Sequence, residues 1–119
     1  MLGNIVYLLG VALLFTHELD AIKHHEWRLF GFLNPLGDKM AYWVFTLAHV
    51  PLFFLFLWMM AYPRLNFEIA VDLFLIIHVG LHYLFRNHPK YEFSDWFSHG
   101  IIGAAGIMGA IHLLLLTLA

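Results

Sequence analysis

An all-α bundle of four transmembrane helices is the fold this sequence predicts, on three observations. Of its 119 residues, 62% are hydrophobic and 12% charged, against about a quarter charged in an ordinary soluble domain. Mean hydropathy is +0.79, whereas a small soluble chain must cover a large surface with polar groups. Four segments are long and apolar enough to cross a bilayer, which takes about 20 residues.

The first segment runs from about residue 2 to 27; Ile5 to Phe15 is wholly apolar, and Thr16, His17, Glu18, Asp20, Lys23 and His24 follow. The second, 40–62, is the clearest span, with Thr46 and His49 its polar side chains. The third, 66–85, contains Glu68, Asp72, His78 and His82, and the fourth, 96–118, contains Ser98, His99, His112 and Thr117. Gly31, Asn34, Pro35 and Gly37 break the chain after the first segment. Pro63 and Arg64 leave room only for an antiparallel hairpin, and Asn87, His88, Pro89 and Lys90 open the third connection. Tryptophan and tyrosine cluster near these boundaries, where amphipathic rings favour the interface. The length fits a single integral membrane domain, 1–119. Met1 to Asn4 lack the positive charge of a signal peptide, so the first apolar run reads as a retained helix.

Orientation follows the positive charges. Lys23, Arg28 and Lys39 flank the first connection, Arg86 and Lys90 the third, and Arg64 stands alone in the second. This bias puts the first and third connections in the cytoplasm and both termini outside, as expected for a bacterial inner-membrane protein. A formal charge of −2 without a basic patch argues against nucleic acid. The absence of cysteine excludes disulfides and thiolate metal sites.

Nine histidines in so apolar a chain need an account, because ionisable groups in lipid usually face the bundle interior with a partner. At about 100° per residue, His17, Asp20 and His24 lie within about 60° of one another on one helix face. His78 and His82, four apart, can reach one ion from a single helix. At about 1.5 Å rise per residue, His17, Asp20, His24, His49, His78, His82 and His99 all fall in the cytoplasmic leaflet, drawn from all four helices. These seven are the candidate metal ligands, and Glu18 is the candidate acid/base. Imidazole and carboxylate without sulfur suit iron, zinc or manganese. Asp72 and His112 share the opposite leaflet and are expected to pair. His88 reads as a solvated loop residue, and His24, His25 and Glu26 as a segment end near the interface. Gly100, Gly103, Gly106 and Gly109 with neighbouring alanines give the fourth helix two small-residue faces for close packing, within the bundle or in a homo-oligomer.

The stretch Thr16-His17-Glu18-Leu19-Asp20-Ala21, with Leu47-Ala48-His49-Val50-Pro51 and Leu81-His82-Tyr83-Leu84-Phe85-Arg86, resembles an uncharacterised family of small bacterial four-helix membrane proteins over essentially the whole chain. It is more distantly similar to the HXXEE-motif membrane family, with Asp20 and Ala21 at the two glutamate positions. Neither resemblance implies an activity.

Three functions compete on the residues. A metalloenzyme would act on a lipid-soluble substrate. A haem module would use two facing histidines. A non-catalytic membrane protein would use its polar cluster for packing or for proton and ion handling.

Overall fold

The computed structural model describes residues 1–119 and is all-α. Its long helices are α1 (Leu2–Lys23), α2 (Asp38–Ala61), α3 (Leu65–Phe85) and α4 (Trp96–Leu118), and each is long and apolar enough to cross a membrane. Two 3₁₀ turns, Glu26–Leu29 and Asn34–Leu36, occupy the first connection. The ends of α2, α3 and α4 fall within two residues of the sequence expectation.

The first segment departs from it. The helix stops at Lys23 rather than continuing to Trp27. The backbone N–H of His24 and its side-chain Nδ1 both donate to the Asp20 carbonyl. His25 then turns left-handed, at φ 52° and ψ 46°, a region that few residues other than glycine occupy and in which histidine is enriched. This reversal folds Glu26 back toward α1.

Packing is unequal around the bundle. α4 lies against both α1 and α3, whereas α2 docks chiefly on the two 3₁₀ turns. Aromatic contacts supply further attachment: Phe15 of α1 meets Phe53 and Phe56 of α2 with ring centroids 4.5 and 5.6 Å apart. Small residues set the α3–α4 approach. A Cβ on Gly106 would lie 2.6 Å from Val79 Cγ2, and one on Gly109 2.9 Å from the Asp72 carbonyl oxygen. Gly100 and Gly103 meet nothing within 4 Å, so one side of the small-residue stripe is packed within the chain and the other is open.

Outward-facing Leu19, Leu47, Leu57, Ile77 and Ile107 are exposed, an apolar surface suited to lipid. Inside, two apolar clusters flank a polar layer. On α1, Leu14 belongs to one cluster and Ala21 to the other, with buried His17 between them. Toward the opposite end, His112 Nδ1 and Asp72 Oδ2 are 2.6 Å apart and both residues are buried. The pairing expected from their depth is present.

Candidate metal centre

His78 and His82 lie one turn apart on α3, as i,i+4 spacing requires. Their rings stack with centroids 4.9 Å apart, and their Nε2 atoms approach to 3.0 Å. His17 comes from α1 and meets both rings edge-on, at 4.7 and 4.9 Å between centroids. Glu26 arrives from the 3₁₀ turn, with Oε2 3.5 Å from His17 Nε2. Four ligand atoms, one from each of these residues, all lie within 4.8 Å of one another. Bonds of about 2.0–2.1 Å to a tetrahedral metal hold ligand atoms about 3.3 Å apart, so small side-chain movements would close the set on one ion.

The bonding at this centre fits a cation. His17 Nδ1, His17 Nε2 and Glu26 Oε2 are buried without a hydrogen-bond partner. Such atoms are costly when left unmatched. Burial alone would raise the Glu26 carboxyl, but His17, then His78 and His82, hold it below the usual glutamate range. Glu26 is therefore ionised at neutral pH, as a ligand must be.

An outer layer orients these groups. His82 Nδ1 is 3.0 Å from the Tyr91 hydroxyl, the contact a metal-binding imidazole makes with its second nitrogen. Burial, then Glu26, pushes the Tyr91 phenol up to about 12, so it keeps its proton. Phe93 is fully buried and packs on the rings of His17, His24 and His82. The Glu26 turn is fastened from both sides. Arg28 donates from Nε and Nη2 to the two Asp38 oxygens at 2.8 and 2.9 Å, and from Nη1 to Glu92 at 3.3 Å. His25 Nδ1 contacts Glu92 at 3.0 Å, and Trp27 Nε1 donates to Asp38 at 2.9 Å.

The family model that matches the chain is described as a family of unknown function, DUF6713, and it covers residues 3–119. The chain belongs to the DUF6713 family. No curated protein and no solved structure matches it. The DUF6713 match takes in all four helices and the connections that supply Glu26, Tyr91 and Phe93.

The sequence-predicted residues are divided among several places. His17, His78 and His82 converge. Asp20 shares the His17 face of α1 but lies outside the convergent set; its Oδ1 is 3.2 Å from His24 Nδ1, and Glu26 supplies the carboxylate of that set. His24 is turned to Asp20 and covered by Phe93. His49 Nδ1 donates to the Phe45 carbonyl at 2.7 Å, and its Nε2 is 2.6 Å from Glu18 Oε2. His99 is exposed and stands apart from the convergent set. Glu18 and His49 nonetheless face the centre, because with Glu26, His78 and His82 they line one cavity of about 290 Å³.

Sequence reasoning placed Glu26 at a segment end near the interface and passed over Tyr91, Glu92 and Phe93 as site residues. Glu26 sits beyond a helix break that no glycine or proline announces. The alternation of aromatic, acidic and aromatic residues at 91–93 was the available sign that the third connection folds inward.

Proposed function

We propose that this protein is a membrane metalloprotein that holds one transition-metal ion with His17, Glu26, His78 and His82, and that the ion acts on a lipid-soluble molecule in the adjoining cavity. One observation carries the reading: three imidazoles and a carboxylate, from α1, α3 and the 3₁₀ turn, converge within 4.8 Å, and two of the four residues bring buried polar atoms without hydrogen bonds. Iron, zinc and manganese all accept this donor set. Bound there, the metal would supply Lewis-acid chemistry or activated water.

The chain's own residues have separable tasks. His17, His78 and His82 bind as neutral imidazoles, and Glu26 brings a negative charge that offsets the ion's. Tyr91 orients His82. Phe93 and the surrounding apolar side chains exclude water. The Glu18–His49 pair sits on the cavity wall within reach of a ligand rather than within the metal set.

The haem reading is less well supported. The three rings touch at 4.7–4.9 Å between centroids, which leaves no slot for a macrocycle between any two of them. The charge bias supports an inner-membrane orientation with the metal centre toward the cytoplasm and both termini outside. Elemental analysis of protein purified without chelator or histidine tag tests the proposal, with about one metal per chain expected.

A further inference from the structure

We infer that the cavity beside the metal centre binds a lipid-soluble quinol-like molecule: one ring, a hydroxyl on one edge, a second oxygen on the other, and an apolar tail that leaves between α2 and α3. The inference deepens the metal-centre reading by naming a substrate class; it rests on that reading for chemistry and for the free Tyr91 O–H, but not for the cavity or the Glu18 acceptor.

Size comes first. A cavity of about 150 Å³ holds one benzene molecule. At about 290 Å³ this one holds a substituted ring and little more. Its walls favour a flat guest, since Phe30, Phe45, Phe74 and Phe85 all contribute. Access is lateral. α2 and α3 make no extended backbone approach to one another, and Leu81 and Phe85, on the cavity wall, are themselves exposed. A tail can therefore remain in the bilayer while the ring sits inside.

The polar groups select the oxygens. On the α1–α2 side, the His49 Nδ1–H is committed to the Phe45 carbonyl, and Nε2 meets Glu18 Oε2. Glu18 Oε1 is left as an acceptor for a ligand hydroxyl. On the α3 side, a His82 whose Nε2 faces the metal set carries its proton on Nδ1 and donates it to the Tyr91 oxygen. The Tyr91 O–H is then free to donate to a second ligand oxygen. One wall accepts and the other donates. A plain hydrocarbon chain would leave both unmatched.

The test uses the full chain in detergent and equilibrium dialysis with 4-pentyloxyphenol, which has one hydroxyl, one ether oxygen and a short tail. The expected result is saturable binding of one molecule per chain, at least tenfold tighter than pentyloxybenzene, which lacks the hydroxyl. Leu81→Trp, which puts an indole into the cavity from an exposed position, should weaken binding at least tenfold. Equal binding of the two probes, no saturable binding, or undiminished binding by a folded Leu81→Trp protein would overturn the inference. The two-probe comparison needs no variant, so it decides the matter even if Leu81→Trp does not fold. Repeating it on chelator-treated protein separates the two readings. Phenol binding by metal-free protein that never acquires a metal sinks only the metal centre; metal binding without phenol binding sinks only this inference.

Discussion

His17 Nε2 and Glu26 Oε2 lie 3.5 Å apart because the chain reverses between them. In an uninterrupted helix, nine residues would separate them by about 13–14 Å along the axis and about 180° around it. The left-handed His25 and the 3₁₀ turn after it remove both separations. A side chain that linear helix geometry assigns to the interface thereby becomes the carboxylate of the candidate metal centre.

This relationship separates two carboxylates by experiment. Glu26→Gln removes the charge of a proposed ligand and should weaken metal affinity by more than the roughly 10–100-fold typical of an outer-layer change. Asp20→Asn, whose neighbour is His24, should shift affinity by only a few fold. Competition titration with a chromophoric chelator measures both; the reverse order would restore Asp20 as the ligand.

Metal binding should be lost toward acid. Each imidazole must be neutral to donate its lone pair, so protons compete with the ion for His17, His78 and His82. A metal that binds only the folded state raises the melting temperature, so the metal-induced rise should shrink as pH falls. A rise that is the same at every pH at which the protein stays folded would contradict a three-imidazole site.

Much of the fold was legible because length and apolarity are what a bilayer demands. The four spans and the Asp72–His112 pair follow from helix rise and depth alone, and so does the meeting of His17 with His78 and His82. The remainder depends on what a helical projection omits. Asp20 shares the right face of α1 but turns to His24 one helical turn on. His49 meets Glu18 across two helices, a register that neither segment encodes by itself. Tyr91 and Phe93 lie in a connection whose inward path is set by the Glu92 contacts to His25 and Arg28.

The glycines of α4 are not equivalent. Gly106→Leu drives a side chain into Val79, which a Cβ alone would approach to 2.6 Å. Overpacking of this kind costs about 1–3 kcal/mol. Gly100→Leu meets nothing within 4 Å and should leave the monomer's melting temperature unchanged. Thermal denaturation in detergent reads the difference, and equal melting temperatures would remove the close-packing account of α3 and α4.

Orientation is open to cysteine labelling, since the chain has no cysteine of its own. Gly37 has φ +80° and would be strained by substitution, whereas Gly31 in the same connection has open space. Gly31→Cys should react with a membrane-impermeant maleimide only from the cytoplasmic side, and Arg64→Cys only from the other. The opposite pattern would invert the proposed topology.

The central claim rests on whether His17, Glu26, His78 and His82 hold a metal. Protein purified without chelator and without a histidine tag, analysed by inductively coupled plasma mass spectrometry before and after metal titration, tests it most directly. The account predicts about one equivalent of iron, zinc or manganese in the wild type, little in a His78→Ala, His82→Ala double variant, and an unchanged content in His88→Ala. A wild-type protein that carries well under one equivalent and acquires none on titration would contradict it.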